Sequence, residues 1–161
     1  MRKLPAFTLV EILVVVAILG IISLAAATPL IQSGNNQKLR ANAEILADNF
    51  RRAHVFSREL KNHKVWGIVN LSPSEYALVS ASAVSEIVAD VRTPIPPSTY
   101  TIEQNIPLDN GIVFSSGFTQ IWFIQGSGET YAQYNIDLIN QNQVRMRLTV
   151  LQSGVIEIFA G

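Results

Sequence analysis

The stretch MRKLPAFTLVEILVVVAILGIISLAAATPLI, residues 1–31, decides the organisation of this chain. Two cations in its first three positions precede an apolar run over residues 7–31, in which Glu11 is the one ionisable side chain. A run of this length is typical of a helix that crosses a bilayer. A carboxylate inside such a helix costs about 2.5–3.5 kcal/mol on insertion scales, so it normally has a partner and a function. Cleavage at the nearby Ala6–Phe7 junction would create an α-amino group that could pair with Glu11.

The residues Ala6-Phe7-Thr8-Leu9-Val10-Glu11, with a basic leader before them and the apolar run after them, resemble the processing site of type IV prepilins and type II secretion pseudopilins. The resemblance implies that a membrane peptidase cuts between Ala6 and Phe7 and N-methylates the new Phe7 amine. It also implies that residues 1–6 are a leader peptide and that Glu11 acts in assembly. The family usually has Gly before the cut, so with Ala6 we expect cleavage to be tolerated or slower.

Two other interpretations of the same segment stay open. A secretory signal peptide has a basic start, a short apolar core and small residues at its cut site, and Ser23-Leu24-Ala25-Ala26-Ala27 could supply that site. A plain single-pass anchor also fits the length of the run. Neither gives Glu11 a function, and we therefore favour the prepilin interpretation.

The composition fits one domain attached to this segment. The chain has 161 residues, no cysteine and a formal net charge of zero. Without cysteine there is no disulfide framework, no thiolate metal site and no cysteine nucleophile. Removal of Arg2 and Lys3 with the leader leaves a slightly acidic chain, which gives no general attraction to nucleic acid.

A long helix with two different halves is predicted for the N-terminal third. Residues 7–31 are expected to form a transmembrane and assembly helix, with Pro29 kinking its end. In residues 32–62 the charge density rises, while apolar or small side chains recur every three or four positions from Leu39 to Leu60. This spacing is typical of an amphipathic helix, and we expect its apolar face to pack on the head.

Residues 63–161 are predicted to form a β-rich globular head. The pattern there changes to alternation of apolar and polar residues, with strands expected at 64–71, 76–81, 87–91, 100–104, 112–114, 120–124, 131–138, 144–150 and 155–159. Asp109-Asn110-Gly111 and Ser153-Gly154 are predicted turns, and the three prolines of residues 93–97 predict a loop.

These elements predict an α+β fold, with a long N-terminal helix packed on an antiparallel β-sheet head, as in pilins. The order of the C-terminal strands and their glycine-containing turns is similar to that of the H-type minor pseudopilins of type II secretion and the T-type minor fimbrial pilins.

Catalysis is not indicated, and we expect no enzyme activity, cofactor or metal. His54 and His63 are nine residues apart, which is not the i, i+4 spacing of a helical metal pair. Gly126-Ser127-Gly128 follows a predicted strand and is interpreted as a hairpin turn rather than a phosphate-binding loop.

Arg145 and Arg147 are the candidate DNA contacts. They occupy alternate positions of a predicted strand and so project from one face of the sheet. In some T-type minor pilins, arginines near the C-terminus bind incoming DNA. The last predicted strand carries no basic residue, and a phosphate-binding groove needs several cations together. Nucleic acid is therefore not the partner we favour.

The resemblance implies a non-enzymatic fibre subunit, a minor pilin or pseudopilin, assembled through its N-terminal helix in a type II secretion or type IV pilus machine. Its implied partners are the prepilin peptidase, other pilin or pseudopilin subunits, an inner-membrane assembly platform and membrane lipid. The resemblance also implies a single-pass protein of the bacterial inner membrane with its head outside the cytoplasm, in the periplasm of a two-membrane cell, and later in the pilus or pseudopilus. The basic residues Arg2 and Lys3 are consistent with this orientation. The alternative function is a pilus-associated protein whose head acts in DNA uptake or adhesion.

Processing at the Ala6–Phe7 bond can be tested at the residue before the cut. Because the peptidase has to hold this residue in a tight site, Ala6→Gly is expected to preserve or speed cleavage and Ala6→Leu to block it. N-terminal sequencing of the mature protein is the measurement. A mature terminus after Ala27 would instead identify a signal peptide and contradict the prepilin interpretation.

Overall fold

The computed structural model describes residues 8–82, 99–116 and 118–160, and of residues 24–31 it describes the backbone only. The strand predicted at 87–91 and the proline-rich loop at 93–97 lie outside this description. The backbone is helical through residues 24–31, and the kink predicted at Pro29 stays a prediction. The chain divides into two compact units, Met1–Asn35 and Asn36–Gly161.

In the first unit, the helix α1 (Leu9–Arg58) begins directly after Thr8. Its described apolar side chains are exposed, from Leu9 at 81% to Val15 at 48%. By length and hydropathy, no helix within the described residues qualifies as a membrane span.

In the second unit, α1 buries one face. The buried apolar or small side chains follow the predicted spacing of three or four residues and are Leu39, Ala43, Leu46, Ala47, Phe50, Ala53 and Ser57. The helix ends at Arg58 rather than near Lys61, because Leu60 takes a left-handed conformation with φ 55°. A neighbouring turn supplies a hydrogen bond to the last turn of α1, because the Gly126 N–H donates to the Ser57 carbonyl at 2.9 Å.

Within the described residues, the head contains two antiparallel four-stranded sheets, and the predicted α+β class is confirmed. The described strands are β1 (Lys64–Ser72), β2 (Glu75–Ser82), β3 (Thr101–Pro107), β4 (Val113–Phe114), β5 (Gln120–Phe123), β6 (Tyr134–Ile139), β7 (Arg145–Val150) and β8 (Ile156–Ala160). Sheet 1 has the order β3-β2-β1-β5, and sheet 2 has the order β4-β6-β7-β8. The predicted turns at Asp109–Gly111, Gly126–Gly128 and Ser153–Gly154 are present.

The main core brings the buried face of α1 together with both sheets. Its sheet residues include Trp66, Ile68, Tyr76, Leu78, Ile121, Phe123, Ile136, Leu138, Leu148 and Val150. Phe50 of the helix lies 6.4 Å from Phe123 and 6.2 Å from Phe118, measured between ring centroids. A second, smaller cluster lies on the other face of sheet 1 and consists of Val65, Val69, Ala77, Val79, Ala81 and Trp122.

Two buried asparagines on α1 tie the helix to the head through hydrogen bonds. Asn42 donates to the Asp109 carboxylate at 2.9 Å and accepts from the Asp109 backbone N–H at 3.1 Å. Asn49 donates to the Tyr76 hydroxyl oxygen at 3.1 Å. Burial raises the pKa of Tyr76 to about 12. Because buried polar groups need partners, these contacts allow the helix to pack here in one register.

Two glycine turns meet on the ring of His54. Gly128 belongs to the turn after β5 and Gly154 to the turn before β8, and both have positive φ angles, 73° and 81°. A Cβ on Gly154 would lie 2.5 Å from His54 Cδ2 and 2.5 Å from the Gly128 carbonyl oxygen. These positions therefore lack space for a side chain as well as requiring left-handed backbone.

The space around Gly154 can be tested against a matched glycine. Gly126 also has a positive φ, 85°, but a Cβ there would meet only Leu60 Cδ2 at 3.9 Å. Gly126→Ala is expected to cost about 1–2 kcal/mol of unfolding free energy for the left-handed backbone alone. Gly154→Ala should cost this amount plus about 1–3 kcal/mol for overpacking. Urea unfolding of both variants is the measurement, and equal losses would contradict the packing of the two turns on His54.

Candidate functional site

The first turn of α1 is closed by a reciprocal pair of hydrogen bonds between Thr8 and Glu11. The Glu11 backbone N–H donates to Thr8 Oγ1 at 3.3 Å, and the Thr8 backbone N–H donates to Glu11 Oε2 at 3.5 Å. This is a capping box, in which two N–H groups that have no partner inside the helix are satisfied by side chains. The Thr-x-x-Glu spacing of Thr8 and Glu11 is the sequence signal that could have predicted this motif.

The capping box directs the Glu11 carboxylate toward the chain that precedes the helix. It accepts from the N–H of Thr8, which is the residue next to Phe7. An amine created at Phe7 by cleavage would be one residue upstream of a group that the carboxylate already contacts. Ala6 and Phe7 lie outside the described residues, so cleavage, N-methylation and the assembly role of Glu11 stay predictions.

Next to Glu11, α1 presents an exposed apolar surface. Leu9, Ile12, Leu13, Val16 and Ala17 line it together, at the i, i+3, i+4, i+7 and i+8 positions of one helix face. Such a face fits against another apolar helix or against lipid. The Glu11 carboxylate, which accepts from the Thr8 N–H, lies at the same end of the helix as this surface.

Arg145 and Arg147 lie together, but both face one carboxylate. Arg147 binds Asp137 through two hydrogen bonds, Nε to Oδ1 at 2.7 Å and Nη2 to Oδ2 at 3.0 Å. Arg145 Nη1 lies 3.5 Å from Asp137 Oδ2. The hydrogen bond from Arg147 and the charges of both arginines hold the pKa of Asp137 below its usual value. The positive charges of the two candidate DNA contacts, Arg145 and Arg147, are thus partly neutralised by Asp137.

The two histidines have different environments. His54 is half-buried, and its ring lies 5.8 Å from that of Phe123 in an edge-on arrangement. His63 is exposed in the short 3₁₀ turn after α1, with φ 53°. Across the described part of the chain, no three His, Asp or Glu side chains cluster in a way that could hold a metal ion.

The fold and the N-terminal segment point to the same class of protein. A long N-terminal helix that packs on antiparallel sheets is consistent with the pilin-like fold. Residues 1–27 match the family model of the prokaryotic N-terminal methylation motif. The chain therefore carries the prepilin signal of type IV pilin-like proteins over this segment. No curated protein and no solved structure matches the chain.

The environment of His54 predicts a pH dependence of stability. Burial lowers its pKa from the usual 6.5, and the charge of Arg58 lowers it further. The unfolded chain therefore binds a proton at a higher pH than the folded chain does. Folding stability should be highest above about pH 6.5 and should fall as the pH drops through the lowered pKa. Urea midpoints between about pH 7.5 and 5 are the measurement.

Two variants test whether His54 is the group responsible for this pH dependence of stability. His54→Gln should flatten the fall in stability over this range, whereas His63→Gln, at an exposed histidine, should leave it unchanged. The pKa values of Asp137 and Glu103 are lowered by their hydrogen-bond partners, so their stabilising contributions are lost progressively below about pH 5, outside this range. If the urea midpoint of His54→Gln changed with pH as much as that of the natural chain, another group would be responsible for the pH dependence.

Proposed function

We propose that this chain is a non-enzymatic fibre subunit, a minor pilin or pseudopilin, of a type II secretion or type IV pilus machine. It is cleaved before Phe7, N-methylated there and assembled through its N-terminal helix. The observation that carries the proposal is the prepilin signal at residues 1–27, with Glu11 in the first turn of a helix whose apolar face is exposed.

The exposed apolar face supports assembly through the helix. Its described large apolar side chains, from Leu9 to Ile22, are between 48% and 81% exposed, and burial of apolar surface against a neighbouring helix is favourable at about 25 cal/mol per Å². A helix bundle of this kind places Glu11 where water is excluded. A carboxylate there needs a cation, and the Phe7 amine of the same or a neighbouring subunit is that cation in the proposal.

The location and partners follow from the same proposal. Before assembly, the subunit is anchored in the inner membrane by residues 7–31, with residues 32–161 outside the cytoplasm. The prepilin peptidase acts on the Ala6–Phe7 bond, and the assembly platform then moves the subunit into a fibre of similar subunits. The proposal gives the head no enzymatic role.

Glu11 can contribute in two separable ways. Its carboxylate accepts a hydrogen bond that closes the first turn of α1, and a cap of this kind typically stabilises a helix by about 1 kcal/mol. It is also an anion that can pair with the Phe7 amine. Removing one partner of a buried ion pair typically costs about 3–5 kcal/mol. Assembly should therefore depend mainly on the charge.

Substitutions at Glu11 and Thr8 separate the two contributions. Glu11→Gln keeps a side chain that can complete a capping box but removes the charge, and Glu11→Ala removes both. We expect both variants to be inserted and cleaved normally and to be strongly depleted from fibres. Thr8→Ala removes the cap hydroxyl but leaves the charge, so it should enter fibres nearly as well as the natural chain. Subunit content of sheared fibres relative to membranes is the measurement.

Thr8→Ser is the matched control, since it keeps the hydroxyl that accepts from the Glu11 N–H. If Glu11→Gln entered fibres normally while Thr8→Ala did not, the cap rather than the charge would be the important feature. If Glu11→Ala entered fibres normally, neither the cap nor the charge of Glu11 would be needed for assembly, and the pairing proposal would be wrong.

A further inference from the structure

The turn at residues 109–112, between β3 and β4, contains the one Asn-Gly pair of the 161-residue chain, Asn110-Gly111. The Ile112 N–H donates to the Asp109 carbonyl at 3.0 Å, which closes a four-residue β-turn. Gly111 has a φ of 86°, whereas the φ of Asn110 is negative. This combination is typical of a type II turn, in which glycine occupies the third position. Asn110 is exposed in this turn.

An exposed asparagine that precedes glycine can lose ammonia without an enzyme. The backbone nitrogen of the glycine bonds to the side-chain Cγ of the asparagine, the proton of that nitrogen passes to solvent, and the side-chain amide takes up a proton and leaves as ammonia. The product is a succinimide ring. Water then adds to one of the two ring carbonyls and breaks its bond to the ring nitrogen, which gives aspartate or isoaspartate. The net reaction exchanges ammonia for water and needs no oxidant or reductant.

The structure leaves the attacking nitrogen accessible at Asn110 and not at a comparable asparagine. Within the described residues, the Gly111 N–H has no hydrogen-bond acceptor, and glycine has no Cβ that would hinder the approach to Asn110 Cγ. Asn142 is also exposed in a turn. The next N–H there, that of Gln143, donates to the Asn140 carbonyl at 3.0 Å, and Gln143 carries a side chain. Asn142 is therefore a matched internal reference.

The turn at residues 109–112 also holds α1. The Asp109 carboxylate accepts from Asn42 Nδ2 at 2.9 Å, and the Asp109 N–H donates to Asn42 Oδ1 at 3.1 Å. In addition, Gln141 lies so close to Gly111 that a Cβ there would be 2.6 Å from Gln141 Nε2. In isoaspartate the chain runs through Cβ and Cγ, which inserts one more backbone atom between the Asp109 carbonyl and the Ile112 N–H. The turn cannot keep its present hydrogen bond and all of these contacts with that longer path.

We propose that Asn110 is a modification site at which the folded chain deamidates, and that the isoaspartyl product loosens the contact between Asp109 and Asn42. Either product also adds a negative charge beside the Asp109 carboxylate. The modification therefore acts on the packing of α1 against the head at Asn42. It is independent of assembly through the N-terminal helix.

The first test measures where and how fast the chain is modified. The full-length chain in detergent micelles is incubated at mildly alkaline pH, and peptide mass mapping follows the gain of one mass unit at each asparagine. Asn110 is expected to react first, with Asn142 at least about tenfold slower. The chain unfolded in guanidinium chloride is the reference, and Asn110 should react faster there because Asn42 and Gln141 no longer hold the turn. Equal rates at the two asparagines of the folded chain, or modification of Asn110 in the unfolded chain alone, would overturn the proposal.

The second test uses variants to assign the consequence for stability. Asn110→Gln should remove the modification, because its longer side chain would have to close a six-membered ring, and its urea midpoint should not change during the incubation. The natural chain should develop a population with a lower urea midpoint, in proportion to the isoaspartate that an isoaspartyl methyltransferase labels. Asn110→Asp carries the new charge from the start and should lose less stability than this population.

Two outcomes would contradict this second part of the proposal. If the modified chain kept the urea midpoint of the fresh chain, the contact between Asp109 and Asn42 would not be loosened. If Asn110→Asp lost as much stability as the modified chain, the added charge rather than the isoaspartyl linkage would be responsible.

Discussion

One face of α1 is the constraint on which the head depends. Both sheets take their core contacts from the residues between Leu39 and Ala53, and Phe50 touches the rings of Phe118 and Phe123. Protein interiors are packed as densely as organic crystals, so a helix shared by two sheets cannot shift to suit one of them without opening a gap at the other. The position of the helix and the separation of the sheets are therefore fixed together.

The polar contacts of the helix refine this position. Apolar packing is non-directional, and a stripe of small and large side chains could slide by one turn at moderate cost. Asn42 against Asp109 and Asn49 against Tyr76 remove that freedom, because a shifted register would leave buried donors and acceptors without partners, at about 1–3 kcal/mol each. At its C-terminal end, the Gly126 N–H holds the last turn.

Local patterns in the sequence were enough to predict the fold class and many of its elements. The helix stripe, the β1 and β2 strands and the turns at Gly111 and Gly154 all depend on neighbours in the chain, and the structure has them. The division of the strands into two sheets depends on long-range pairing, which periodicity does not report. The left-handed conformation of Leu60 could not be predicted, because a residue with a Cβ disfavours it.

Some features of the candidate site could likewise be predicted from local sequence, and others could not. The leader motif and Glu11 were recognisable from residue types alone, and the capping box was readable in Thr8-x-x-Glu11. The pairing of Arg145 and Arg147 with Asp137 required the register of β6 against β7. The turns on His54 come from residues far apart in sequence, and only the folded chain brings them together.

The order of strands in the two sheets also has a consequence for how the chain acquires its structure during synthesis. β4 belongs to sheet 2 and precedes β5, which belongs to sheet 1. As the ribosome releases the chain, sheet 1 must wait for β5, and by then the first strand of sheet 2 is already present without its partner β6. Neither sheet can be completed as a separate block before the other begins. The head is therefore expected to fold late and in one cooperative step, with the slow rate that pairing between distant strands imposes.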